Sequence, residues 1–209
     1  DKEGEGPQIL IYHTHSQEAF KDSGPQGRTI VEVGDYLAEL LTQKGYRVYH
    51  DTSVYDLQSG VLDRSKAYNY ALEGVNRILQ QNPSIQVVLD LHRDGVSENL
   101  HMVSDINGKP TAQIMFFNGL SRTPEGKIAY LPNPYLAENL AFSLKMQLGA
   151  QAYFPGFARK IYLKGLRYNL HLRPKSALIE AGAQTNTFEE VKNAMEPLAQ
   201  LLDMVLQGE

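Results

Sequence analysis

The chain has 209 residues, of which 42% are hydrophobic, and it carries a formal net charge of −4. A chain of this size can bury one sizeable core, which predicts a single domain. It contains no cysteine, which excludes disulfides, thiolate metal ligands and a cysteine nucleophile. No basic run interleaves with aromatic residues, so nucleic-acid binding is not expected.

The first residues of the chain differ in composition from the rest. Residues 1–7 are charged and rich in glycine, and we interpret them as a remnant or linker before one folded domain of residues 8–207. Such a beginning suggests that a signal peptide or membrane anchor is missing. No apolar stretch approaches the ~20 residues that a membrane-spanning helix needs.

The first half of the chain alternates short apolar runs with amphipathic segments. The apolar runs predict buried strands, and the segments with a helical period predict helices that end near Gly45 and Asn82. The predicted strands are residues 9–13, 46–50 and 86–92, and the predicted helices are residues 30–41 and 64–81.

The second half continues the alternation after a predicted β-hairpin. Residues 99–105 and 112–118 would pair around a turn that contains Asn107 and Gly108. The last helix begins with a capping box of Thr187 and Glu190, and Pro197 is expected to interrupt or kink it. The other predicted elements are a helix over residues 133–148, strands over 160–163 and 177–180, and the last helix through residue 206.

This order of elements predicts an α/β fold, in which a mixed, mostly parallel sheet is flanked by helices. Ionisable residues follow three of its predicted strands: His13 and His15 after the first, His92 at the end of the central one and Glu180 at the end of the last. Because active sites of open α/β sheets gather at the carboxyl ends of strands, these groups are expected at one rim.

The residue types at this rim are typical of a catalytic zinc site. His15 and Glu18 form a His-x-x-Glu unit, and His92 adds a distant third ligand. Catalytic zinc takes three protein ligands and keeps one position for water. Glu180 is the candidate base of such a site, although an ion pair with Arg93 or Arg173 would equally explain a buried acid.

Several blocks of sequence resemble one known family. Residues 11–18, 33–37, 90–94 and 178–182, with further blocks at 155–159 and 167–169, are similar to stage II sporulation protein P. The resemblance runs from about residue 9 to about residue 202, in the expected order.

The resemblance implies a zinc-dependent N-acetylmuramoyl-L-alanine amidase that removes stem peptides from peptidoglycan, with an endopeptidase activity on crosslinks. Family members act outside the cytoplasmic membrane of spore-forming bacteria during engulfment, anchored by an N-terminal segment. Their partner is stage II sporulation protein D, which cleaves glycan strands. An amidase-like α/β fold with zinc at the carboxyl ends of the strands is therefore expected.

The resemblance also implies roles for individual residues. It favours Glu18 and His15 as ligands, while Glu32 and His13 remain the alternatives to them. The expected ligands of Zn²⁺ are His15, Glu18 and His92, the expected base is Glu180, and residues that orient a ligand or bind substrate are sought among His13, Arg93, Asp94 and His171.

Two other functions are compatible with the same residues. A metallocarboxypeptidase-like exopeptidase would also use a His-x-x-Glu unit and a distant histidine, and it needs a cation to hold a terminal carboxylate. A noncatalytic cell-wall-binding module would retain the fold with a degenerate site.

Overall fold

The computed structural model describes residues 4–25 and 27–208, so the first part of the predicted linker, residues 1–3, lies outside the described residues. The four helices are α1 Ile30–Gln43, α2 Ala67–Gln81, α3 Leu136–Tyr153 and α4 Phe188–Gln207. The strands are β1 Ile9–Tyr12, β2 Val48–His50, β3 Leu57–Gln58, β4 Val61–Leu62, β5 Val87–Asp94, β6 Val103–Ile106, β7 Lys109–Ala112, β8 Ile114–Gly119, β9 Arg122–Thr123, β10 Gly126–Lys127, β11 Tyr162–Lys164 and β12 Lys175–Ala183.

One six-stranded sheet carries the fold, with the strand order β11-β8-β12-β5-β1-β2. All neighbouring strands are parallel except β8 and β12, which pair antiparallel. Strands β1, β5 and β12 occupy the middle and end at the same edge, as parallel strands do. The predicted single α/β domain with a mixed, mostly parallel sheet is therefore confirmed.

Helices pack on both faces of the sheet, toward which successive side chains of a strand point in alternation. Ile9 and Ile11 of β1 belong to the larger core cluster, which includes side chains of α1, α3 and α4. Leu10 and Tyr12 belong to a second cluster with residues of α2. Strands buried on both faces explain the uninterrupted apolar runs of the sequence.

Two helices begin as the sequence predicts. The side chain of Thr187 accepts a hydrogen bond from the N–H of Glu190, whose carboxylate in turn accepts one from the N–H of Thr187. Helix α1 begins with the same reciprocal arrangement of Thr29 and Glu32. Each capping box satisfies N–H groups that the first turn leaves without an intrahelical acceptor.

Three predictions of local structure are corrected. The hairpin pairs only β6 with β7, and residues 114–119 form a separate, fully buried strand of the main sheet beside β12. Helix α4 is not interrupted at Pro197, because its buried apolar face outweighs one lost hydrogen bond; a kink at this residue stays a prediction. Helix α3 extends beyond residue 148 to Tyr153, and the short ladders β3–β4 and β9–β10 were not predicted.

Among the described helices, none combines the length and apolarity needed to cross a bilayer.

Candidate metal centre and catalytic pocket

Two histidines and one glutamate converge at the carboxyl ends of β1 and β5. Nδ1 of His15 lies 3.5 Å from Oε1 of Glu18, and Nδ1 of His92 lies 3.5 Å from Oε2 of the same carboxylate. One ligand atom from each residue lies within 4.8 Å of the other two. Ligands of a tetrahedral zinc ion are about 3.3 Å apart, so these three residues fit one such ion.

The ring of His92 is backed by a buried carboxylate. Oδ1 of Asp90 lies 2.8 Å from Nε2 of His92, in an ion-pair contact. Asp90 is fully buried and also accepts hydrogen bonds from the N–H and the hydroxyl of Thr14, at 2.9 and 2.7 Å. Burial alone would lower the pKa of His92, but the charges of Asp90 and Glu18 outweigh burial and raise this pKa. A carboxylate behind a metal-binding histidine fixes its orientation, and this one leaves Nδ1 facing Glu18.

The carboxylate of Glu18 is almost fully buried and has several donors. Its Oε2 accepts a hydrogen bond from the backbone N–H of Arg93 at 2.9 Å, and its Oε1 accepts one from the guanidinium of Arg64 at 2.7 Å. Burial would raise the pKa of Glu18, but the neighbouring His92 and His15 with the Arg93 N–H lower it well below its usual value. Glu18 is therefore ionised, as a metal ligand must be.

Glu180 lies beside this cluster on the next strand, where β12 pairs with β5 in register and places Glu180 opposite His92. Its Oε2 is buried and has no hydrogen-bond partner among the described residues. Burial, with a smaller contribution from the charge of Glu18, raises the pKa of Glu180 to about 7. The guanidinium groups of Arg93 and Arg173 instead donate to backbone carbonyl groups.

The cluster and Glu180 line the same cavity, whose volume is about 390 Å³. Apolar and aromatic side chains form most of the remaining wall together with Arg93 and Gly95, and Arg64 also lines the cavity, with 47% of its side chain exposed. The aromatic wall consists of Tyr68, Phe117 and Tyr168. The cavity therefore combines a candidate metal centre, a buried carboxyl group and an aromatic wall.

His13 takes part in a different buried cluster. Its Nδ1 lies 2.8 Å from the carbonyl oxygen of Leu91, and its Nε2 lies 2.8 Å from Nε2 of His50. His50 in turn bonds Asp35 at 2.9 Å, and both imidazole rings pack closely on Gly34 of α1. Burial lowers the pKa of His13 to about 4, so its ring is neutral. His13 therefore holds the backbone of β5 beside the candidate ligand rather than a ligand side chain.

The structure places the favoured ligands and their two alternatives in different surroundings. Strand β1 ends at Tyr12, so the alternation that would put His13 and His15 on one side does not extend to them. Glu32 caps α1 through the N–H of Thr29. His15 and Glu18, rather than these two alternatives, lie next to His92.

The remaining candidates have other contacts. Besides its backbone bond to Glu18, Arg93 donates from its side chain to carbonyl groups, and Asp94 pairs with Arg159 at 2.7 Å. His171 lines a separate, largely apolar cavity of about 800 Å³. Burial, and then the charge of Arg167, lower the pKa of His171 to about 4. His171 is thus not part of the catalytic pocket.

Sequence reasoning did not single out Asp90 and Arg64. Asp90 stands two residues before a candidate ligand in an otherwise apolar strand, so its cost of burial was a signal that could have identified it. Arg64 precedes a helix in a polar stretch, and only the tertiary structure brings it to Glu18.

The chain was compared with known proteins. A family model described as stage II sporulation protein P matches residues 1–203. A curated relative, stage II sporulation protein P of Bacillus subtilis (strain 168), is 23% identical over 215 residues, which cover 94% of this chain and 50% of the relative. The chain therefore spans about half the length of this curated relative.

Solved structures resemble the fold over nearly its full length. The CwlD amidase from Clostridioides difficile in complex with the GerS lipoprotein has a TM-score of 0.59 and 13% identity, and covers 96% of this chain and 97% of its own. An N-acetylmuramoyl-L-alanine amidase of Nostoc punctiforme has a TM-score of 0.56 and 16% identity, over 98% and 99%. These likenesses concern the fold, whereas the family model matches the sequence itself over nearly the whole chain. The chain belongs to the stage II sporulation protein P family.

Proposed function

We propose that this domain is a zinc-dependent N-acetylmuramoyl-L-alanine amidase, which hydrolyses the amide bond between N-acetylmuramic acid and L-alanine of the stem peptide in peptidoglycan. The observation that carries the proposal is the convergence of His15, Glu18 and His92 beside the buried carboxyl group of Glu180. Membership of the sporulation family supports the substrate class and a role in engulfment.

The residues that would hold the ion are His15 and His92, each through Nδ1, and Glu18 through its carboxylate. When bound, zinc polarises the scissile carbonyl group and acidifies a water molecule. Asp90 and the carbonyl oxygen of Arg64, which lies 3.4 Å from Nε2 of His15, keep the two rings turned toward Glu18. This arrangement orients the ligands before substrate arrives.

Glu180 is proposed as the general base and acid. Its carboxylate would take a proton from the attacking water and return it to the nitrogen of the leaving L-alanine. A pKa of about 7 suits both directions of transfer near neutral pH. Because Oε2 of Glu180 has no other partner among the described residues, it is available for this proton.

The family also supports proposals about the biological setting. We propose that the full-length protein acts outside the cytoplasmic membrane of a spore-forming bacterium, anchored by an N-terminal segment, and that stage II sporulation protein D is its glycan-cleaving partner. An endopeptidase activity on crosslinks would use the same pocket, since both reactions hydrolyse an amide.

The test is digestion of purified peptidoglycan by the zinc-loaded protein, by Glu180→Gln and by the exposed control Glu125→Gln. Released fragments are identified by mass spectrometry, and bound zinc is quantified. We expect stem peptides that begin with L-alanine from the wild type and the control, with a loss of more than about 100-fold in Glu180→Gln while zinc remains bound.

The same digestion separates the other functions. Release of only a terminal amino acid would indicate the exopeptidase, and cleavage between stem peptides would indicate the endopeptidase. Binding of peptidoglycan with zinc but without any product would favour the noncatalytic module. A protein that binds no zinc would contradict the metal assignment.

A further inference from the structure

The guanidinium group of Arg64 contacts two of the three candidate metal ligands. Its Nη2 lies 2.7 Å from Oε1 of Glu18 and 3.2 Å from Nδ1 of His15. These two acceptor atoms are themselves 3.5 Å apart. One donor nitrogen therefore bridges the carboxylate and the imidazole.

The atoms that Arg64 bridges are the ones proposed to bind zinc. Nε2 of His15 is directed to the carbonyl oxygen of Arg64, so Nδ1 is the nitrogen left to face Glu18. A lone pair that accepts a hydrogen bond from a guanidinium cannot bind a metal at the same time. Arg64 and the ion thus compete for Nδ1 of His15 and for the Oε1 side of the carboxylate.

Of the contacting groups, Arg64 is the one that can move. Glu18 is 2% exposed and is also held by the backbone N–H of Arg93, whereas 47% of the Arg64 side chain is exposed. Arg64 lies between β4 and α2, and the two residues of β4, Val61 and Leu62, are exposed too. Its side chain can swing away from Glu18 into solvent while its carbonyl group stays beside His15.

The contact also compensates a buried charge. An ionised carboxylate without a partner is strongly destabilising in a protein interior, and the side chain of Glu18 is only 2% exposed. Arg64 supplies a positive charge at the same carboxylate. It can therefore stabilise the ligand cluster in the metal-free protein.

We propose that Arg64 is a built-in competitor of the metal ion, which binds His15 and Glu18 in the metal-free protein and is displaced when zinc binds. The inference rests on the proposed function, because it takes His15 and Glu18 as ligands. Its consequence is a metal site that stays ordered without zinc and that fills only when the zinc concentration is high enough to displace Arg64.

The test measures zinc affinity by competition with a chelating fluorophore for the wild type, Arg64→Gln and Lys66→Gln. Lys66 is the matched control, since it lies in the same segment and is 64% exposed, but pairs with Asp63 rather than with a ligand. We expect zinc to bind Arg64→Gln about ten-fold more tightly, a difference of about 1.4 kcal/mol. Lys66→Gln should stay within about two-fold of the wild type, since an exposed charge off the ligands contributes little.

Thermal unfolding gives a second readout that does not depend on activity. If Arg64 compensates Glu18 only without the ion, Arg64→Gln should lower the Tm of the chelator-treated protein by about 2–4 °C. The zinc-loaded proteins should unfold at the same temperature. A Tm difference that persists in the loaded proteins would overturn the proposal.

The measured zinc affinities can either support or overturn the inference. Equal or weaker binding of zinc by Arg64→Gln would overturn the inference, and weaker binding would show that Arg64 supports a ligand carboxylate instead. An equal gain of zinc affinity in Lys66→Gln would also overturn the inference, because it would show a general effect of removing a positive charge. If stem peptides are released normally in any of these cases, the proposed function stands, whereas absence of zinc binding in all three proteins would refute both.

Discussion

At the scale of single residues, the candidate site depends on where charge is buried. Asp90 of β5, Glu180 of β12 and Glu18 of the loop after β1 are all carboxyl groups close to His92, but their surroundings differ. Asp90 and Glu18 lie beside His92 and accept several hydrogen bonds, so their pKa values are lowered. Glu180 has no such partner, and its pKa is raised. These environments keep Asp90 and Glu18 ionised, whereas Glu180 can bind and release a proton near neutral pH.

Asp90→Asn should weaken zinc binding without unfolding the domain. The amide keeps the size of the side chain but loses the charge behind His92, and loss of such an outer partner typically reduces metal affinity by about 10- to 100-fold. The measurement is the zinc dissociation constant. Asp51→Asn is the control, because Asp51 is also a buried acid but bonds Ser53 and Tyr55; an equal loss of affinity in both variants would contradict the role of Asp90.

The pH dependence of stability should report Glu180 in the metal-free protein. Because its folded pKa of about 7 exceeds the usual 4.5, the folded state binds the proton more tightly than the unfolded state. The proton on Glu180 therefore adds at most about 3 kcal/mol to the free energy of unfolding. This contribution is fully present below pH 4.5 and is lost as the pH rises toward 7. Relative to the wild type, Glu180→Gln should thus gain stability between pH 4.5 and 8 in urea unfolding. A constant difference across this range would show that the carboxyl group titrates normally.

At the scale of elements, the second face of the sheet is only partly covered. Helix α2 packs over β1 and β5, whereas Phe117 and Leu178 of β8 and β12 pack with Tyr168 of a loop. Tyr162 of the edge strand β11 pairs in register with Phe117, and it is 43% exposed. An aromatic row therefore leads from the catalytic cavity to the edge of the sheet.

The rings of this row pack against one another edge to face or tilted, and we expect the exposed outer end of the row to contact a polymeric substrate. Ring centroids lie 5.4 Å apart between Tyr68 and Tyr168, 4.8 Å between Tyr168 and Phe117, and 5.6 Å between Phe117 and Tyr162. Lys164 lies over the Tyr162 ring at 5.3 Å and adds a positive charge at the outer end. Sugar rings and anionic stem peptides are ligands that such a surface would fit.

Tyr162→Ala should raise the KM for polymeric peptidoglycan about five-fold, because one stacking contact contributes about 1 kcal/mol. The kcat should be unchanged, as should the hydrolysis of a short muropeptide that does not reach the edge strand. Tyr153→Ala provides the control, since Tyr153 ends α3 and is also exposed, at 61%. An unchanged KM in Tyr162→Ala, or an equal rise in both variants, would contradict a contact between the polymer and the outer end of the row.

At the scale of the whole molecule, predictions that rest on local sequence signals agree with the structure, whereas a prediction that needed information about a distant strand does not. Thr187 with Glu190 and the apolar period of α1 are local signals, and both helices form where they predict. The run of residues 112–118 was assigned to a hairpin, because an Asn-Gly turn gives no information about distant strands. Its second part instead pairs with β12, about sixty residues further along the chain.

Local sequence patterns are sufficient to predict the α/β class, the apolar strands and the types of ionisable residue that follow them. These properties depend on composition and on periods of two and 3.6 residues, which neighbours along the chain are enough to define. The family resemblance further limited the candidates to a few positions, including His15, Glu18, His92 and Glu180.

Which of these groups meet depends on contacts between distant segments of the folded chain. Strand β1 ends before His13 can face the candidate site, Glu32 is used as a helix cap, and Arg64 reaches Glu18 from a segment 46 residues away in sequence. Such contacts depend on strand order and on where each strand ends, and the energy of a buried charge depends on partners brought from distant segments. A local pattern cannot specify either, because both arise when the sheet assembles.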